Sequence, residues 1–136
     1  MKRILRVVMM TMSMGLLLVT GCSDPKPASH FVVRSADGGE FAEADTEKLR
    51  TVLDAFAAAR KMPRVKPGEA GIIRYYQANE DYPIAFFAKR GPTYMKVFAS
   101  PVSPGVVHLD AYTQFRQELA NALTQSFPGR VTLSSN

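Results

Sequence analysis

Between Gly71 and Ser100 the chain carries three β-prone runs so close together that only one arrangement connects them. Gly71–Gln77 (GIIRYYQ), Pro83–Arg90 (PIAFFAKR) and Thr93–Ser100 (TYMKVFAS) are rich in β-branched and aromatic residues, the composition of a pleated, half-buried surface. The segments between them, Ala78–Tyr82 and Gly91-Pro92, are far shorter than the dozen or more residues a parallel crossover requires. They predict an antiparallel meander. In the middle run both faces are apolar, which suits a central strand. In the last run Met95, Val97 and Ala99 alternate with Tyr94, Lys96 and Phe98. Successive side chains of a strand point to opposite faces, so the adjacent pairs Tyr75-Tyr76 and Phe86-Phe87 must each put one ring on either side of the sheet.

Two helical patterns flank the meander. In the first, Leu49, Val52, Leu53 and Phe56 follow helical spacing, with Asp45 or Thr46 as cap and Pro63 as stop. The second spans about Ala111 to Ser126, with Asp110 as cap and Tyr112, Phe115, Leu119, Leu123 and Phe127 on one stripe. Phe31–Ser35 (FVVRS) predicts a first strand, Arg130–Leu133 (RVTL) a last edge strand, and Val106–Asp110 (VVHLD) either a short strand or the start of the second helix. The order is β-α-β-β-β-(β)-α-β. That predicts one α+β domain over 31–136: an antiparallel sheet of four to five strands with two amphipathic helices on one face.

The start of the chain reads differently. Lys2, Arg3 and Arg6 precede an apolar run from about Val7 to Val19, the pattern of a secretory signal peptide. Thr11, Ser13 and Gly15 interrupt this run, and it is shorter than the roughly 20 apolar residues that span a bilayer. It closes on Val19-Thr20-Gly21-Cys22, whose cysteine is the single one in the chain. This ending resembles the lipobox of bacterial lipoproteins, and the resemblance covers only residues 1–22. It implies that residues 1–21 are removed between Gly21 and Cys22, and that the Cys22 thiol carries diacylglycerol while its new amino group is acylated. Anchoring is then stable, at roughly 0.8 kcal/mol per buried methylene. Ser23 rather than Asp follows the cysteine, which under enteric-type sorting implies the outer membrane, facing the periplasm, over the inner one. Residues 22–30 form the lipidated cysteine and a polar tether with two prolines; eight extended residues reach at most about 26–29 Å.

Charge adds little. Three of the 17 basic residues lie in the leader, leaving 14 against 12 acidic ones, about +2 for the mature chain. That gives no footprint for nucleic acid. No disulfide is available within the chain, and the sequence predicts no metal site, no cofactor and no catalytic constellation. His30 falls in the tether. His108 and Asp110 would share a face if extended, yet no nucleophile accompanies them. Glu40, Glu43 and Asp45 make a short acidic run.

Two surface features remain. Arg60, Lys61, Arg64 and Lys66 form a basic cluster, suited to anionic headgroups or an acidic partner. Tyr75, Tyr76, Phe86, Phe87 and Tyr94 make a candidate aromatic surface, because two helices on one face would leave rings exposed on the other. The expected function is a non-enzymatic protein-binding or accessory module on the periplasmic side of a cell envelope, with the membrane and an envelope protein as partners. The alternative is a small-ligand or lipid binding module with a cavity between helices and sheet.

Overall fold

The computed structural model describes residues 30–102 and 109–134. The leader, Cys22, the tether up to Ser29 and His108 lie outside them. The elements are β1 (His30–Arg34), α1 (Glu43–Ala59), β2 (Arg64–Val65), β3 (Ile72–Tyr76), β4 (Ile84–Arg90), β5 (Tyr94–Pro101), α2 (Leu109–Ser126) and β6 (Val131–Ser134). They build one six-stranded sheet in the order β2-β3-β4-β5-β1-β6, antiparallel at every pairing. The class is α+β as the sequence predicts, with one strand more than the upper expectation. The added strand is β2, inside a proline-rich stretch that reads as loop. Its two residues pair with Tyr75 and Tyr76 between Pro63 and Pro67.

Both helices lie on the same face, and the topology explains why. Four antiparallel steps separate β1 from β2, so they run parallel and α1 is a crossover. Two steps separate β5 from β6, so α2 is a crossover as well. Strand direction and direction of travel both reverse between the two connections. Crossovers of one hand therefore land on one face. There Phe56 of α1 and Phe115 of α2 each meet the Phe86 ring edge-on or T-shaped, at 5.4 and 5.9 Å. Phe31, Val33, Met95, Val97 and Ala99 fill the sheet side of the same core, and Leu49, Leu53, Leu119 and Leu123 the helix side. The Tyr112 hydroxyl donates to the Ala99 carbonyl at 2.8 Å, fixing α2 over β5.

The helix ends differ from the sequence expectation. α1 begins at Glu43 with Ala42 in the cap position and no side-chain cap bond. Burial of Phe41 against Phe127 fixes where the chain turns into the helix. Asp45, expected as cap, pairs instead with Arg130 at 2.9 Å, and Thr46 donates to the Ala42 carbonyl at 3.1 Å. Asp110 is likewise inside the first turn of α2 rather than ahead of it, and both acids suit the positive helix start. α1 ends in a Schellman motif: Lys61 N–H donates to Ala58 O and Met62 N–H to Ala57 O. Lys61 takes the left-handed position at φ 56°, which glycine normally fills. The Asn79 side-chain amide closes the end by donating to the Arg60 and Lys61 carbonyls at 2.8 and 3.0 Å.

Candidate functional site: the open face of the sheet

Because both helices occupy one face, no described helix or strand covers the other. The strand registers dictate what stands there. One row crosses all six strands: Ser134, His30, Phe98, Phe87, Tyr75 and Val65 are successive partners. Tyr75, Phe87 and Phe98 stack in turn, and the His30 ring lies tilted against Phe98. Centroids lie 5.6 Å apart for Tyr75 and Phe87, 4.8 Å for Phe87 and Phe98, and 4.9 Å for Phe98 and His30. These spacings match the distance between strands, so the rings stand upright on the sheet, each facing the next. Their faces are used up within the row, and what points outward is ring edge. A platform for stacking bases or sugars needs free faces. This row instead offers an apolar rib whose rim carries the positive end of the aromatic quadrupole.

The neighbouring row reinforces that charge. Thr132, Val32, Lys96, Lys89 and Ile72 are successive partners, which sets two lysines directly opposite each other. Such a pair is locally unfavourable. Lys89 turns to Glu69 at 2.9 Å, and the Lys96 ammonium lies 5.6 Å from the Tyr94 ring centre. The Tyr94 ring itself lies against Gly91, where a Cβ would come within 2.4 Å of it. Arg34 is the register partner of Tyr94 and adds a third cation. At the far end of the aromatic row, Tyr75, Phe87, Ser100 and Val102 line a groove of about 410 Å³.

The candidate aromatic surface is thus divided. Tyr75, Phe87 and Tyr94 stand on the open face. Tyr76 and Phe86 face the helices and are 1% and 0% exposed; their removal from the surface is the period-two rule acting on each aromatic pair. Phe98 and His30 complete the row. The alternation in β5 already pairs Phe98 with Lys96. His30 belongs to β1 and is buried rather than part of a tether, and the alternation of buried Phe31 and Val33 carries that signal.

The basic cluster is also divided. Arg60 folds inward: its guanidinium lies 3.6 Å from the Phe56 ring centre and bonds Glu118 on α2 at 2.7 Å. Arg64 reaches Asp54 at 3.4 Å. Lys61 and Lys66 remain exposed, and only they stand as open cations from that run. Asp54 also accepts from Arg74 Nε at 3.2 Å and from the Tyr76 hydroxyl at 2.5 Å. Burial, and then the carboxylate beside it, raise the Tyr76 pKa well above its ordinary 10.0. Every member of this cluster is engaged, which makes it a tie between α1, β2 and β3.

Among the described residues no group of three or more His, Cys, Asp or Glu could hold a metal ion, and no helix is long and apolar enough to cross a membrane. Comparison with protein families, with curated proteins and with solved structures finds no match to this chain.

Proposed function

We propose that this protein is a lipid-anchored, non-enzymatic binding module of a bacterial cell envelope, on the periplasmic side and more fittingly at the outer than the inner membrane. The observation that carries the binding role is the open face: the half-buried rings of Tyr75, Phe87 and Phe98, ending at buried His30, beside Lys96, Arg34 and the Glu69-paired Lys89, on a sheet whose other face packs against both helices. Apolar rim and positive charge together suit an acidic surface of a partner protein. The anchor rests on the Val19-Thr20-Gly21-Cys22 resemblance alone. The small-ligand alternative is less well supported, because the space of about 370 Å³ between α2 and the sheet is a groove lined by exposed Leu133 at the sheet edge rather than an enclosed cavity.

A photo-crosslinking residue at Val32, on the open face, tests the reading in cells against the same residue at exposed Ala55 on α1. The expected result is one dominant envelope-protein adduct from position 32, lost when Lys89→Glu and Lys96→Glu are combined, and none from position 55. Equal, diffuse labelling from both positions overturns it. Cys22→Ser is expected to leave the precursor uncleaved and without acyl mass.

A further inference from the structure

We propose that the groove between α2 and the free edge of β6 takes an extended, acidic segment of a partner protein, added to the sheet as a seventh strand. This extends the binding-module reading to a second surface and does not depend on the first. β6 ends the sheet, and no described residue pairs with its outer side. The two edges are treated very differently. β2 at the opposite edge is two residues long, bounded by Pro63 and Pro67 and followed by Lys66, the usual protections against strand addition. Val131–Ser134 has no proline, lysine or bulge.

The backbone is aimed for pairing. Arg34 N–H donates to the Arg130 carbonyl at 2.9 Å. Bonded pairs alternate along an antiparallel ladder, so Thr132 and Ser134 are the residues that bond β1. The N–H and C=O groups of Val131 and Leu133 then point to the free edge. Their side chains stand on the sheet face that carries α2, where with Phe31 and Ala120 they line a groove of about 370 Å³. Leu133 is 57% exposed, one of two large apolar side chains so open among the described residues. An added strand thus meets both elements of strand-addition recognition, backbone bonds for affinity and a pocket for alternate side chains.

Arg116 sets the charge of the guest. It lines the same groove, its guanidinium 5.4 Å from the Tyr112 ring centre and 5.9 Å from that of Phe31. Arg50, Arg60, Arg64, Arg74 and Arg130 each meet a carboxylate. Arg116 meets none among the described residues, and the groove lining contains no acid. A carboxylate from the guest supplies the missing partner.

The test uses the full chain in mild detergent and two fluorescein-labelled hexapeptides of alternating valine and threonine, one with a central glutamate and one with a central lysine. Anisotropy is expected to show the glutamate peptide binding about ten-fold more tightly. Arg116→Glu is expected to reverse that preference. Leu133→Pro removes one outward N–H without touching the β1 ladder and is expected to abolish binding of both peptides, while Leu133→Val retains it; unchanged thermal melts confirm folding. The proposal is overturned by no binding up to about 1 mM, or by Leu133→Pro binding like the parent. It is equally overturned by a dimer that Leu133→Pro dissociates, which makes a second copy the occupant. Slow hydrogen exchange at Val131 and Leu133 in the free monomer also overturns it, since the chain's own segment then holds the edge.

Discussion

Arg60 separates a surface charge from an internal clamp, and Arg60→Ala measures which it is. Its guanidinium lies 3.6 Å from the Phe56 ring centre, close enough for a partly desolvated cation–π contact of about 1–2 kcal/mol. Its Nη2 pairs with Glu118 at 2.7 Å, where Arg60 is 15% and Glu118 36% exposed, so solvent screening holds that pair to about 0.5–1 kcal/mol. Nη1 donates to the Phe56 carbonyl at 3.0 Å in the last turn of α1, worth about 0.5–1 kcal/mol. Against these stand the ordering of a long side chain, up to about 2 kcal/mol, and a buried Nε without an acceptor. Arg60→Ala is therefore expected to cost about 1 kcal/mol, with a Tm drop of roughly 5 °C. Urea unfolding should show a lower midpoint at unchanged slope. Arg60→Lys keeps the charge but loses the planar stacking and the fork, so it should recover less than half of the loss. A double-mutant cycle with Glu118→Gln should give a coupling of about 0.5–1 kcal/mol. If Arg60→Lys is as stable as the parent, or Arg60→Ala costs under about 0.5 kcal/mol, the clamp argument fails and Arg60 returns to the basic surface.

Two further outcomes follow from local chemistry. Tyr76 has a folded pKa raised above its ordinary 10.0, so folding favours the neutral phenol. Stability is fully present below pH 10.0 and falls as pH rises beyond it, because the unfolded chain ionises first, at about 1.4 kcal/mol per pH unit. Urea midpoints between pH 9 and 11.5 should show Tyr76→Phe losing that part of the slope, from a lower starting stability because Asp54 loses a donor; parallel curves for the two proteins would refute it. Lys61 holds a left-handed φ of 56° in a position glycine fills at lower strain, so Lys61→Gly should raise stability by about 0.5–1 kcal/mol; thermal melts showing a loss would contradict the motif.

The sheet and its partition into two faces were legible because period-two alternation is a local signal. Tyr75-Tyr76 and Phe86-Phe87 had to split, and they do. The alternation of β5 placed Phe98 with Lys96, though the row it belongs to emerges only from register, which depends on four other strands. The helix starts depart from the sequence expectation for a related reason. Asp45 and Asp110 have the chemistry of caps, but burial of Phe41 moves the start of α1 forward and frees Asp45 for Arg130, 85 residues away. Nothing local in "ARKMPRVK" tells Arg60 from Lys61. One finds a ring and a carboxylate on the far helix, the other a strained backbone, and both fates are set by tertiary packing. β2 was hidden because two residues between prolines carry no periodicity, and only the neighbouring β3 makes them a strand.

β1 connects the proposals. It is paired on both sides, with β5 and with β6, and its residues serve both candidate surfaces. His30 ends the aromatic row on the open face, while Phe31, one residue on, floors the β6 groove on the other. In the proposed anchored form β1 is also the strand nearest the lipid. With His30 in the sheet, the tether shortens to residues 23–29, seven residues that extend at most about 23–25 Å. In that form the His30 end of β1 stays within that distance of the bilayer. A short leash of this kind raises the effective concentration of the domain for partners in the same membrane and lowers it for those elsewhere in the envelope. Modest affinity at two small surfaces then suffices. Strand addition at β6 would also extend the sheet beside β1 and stiffen the strand that carries His30. The two surfaces would then be coupled through one backbone rather than acting as independent sites.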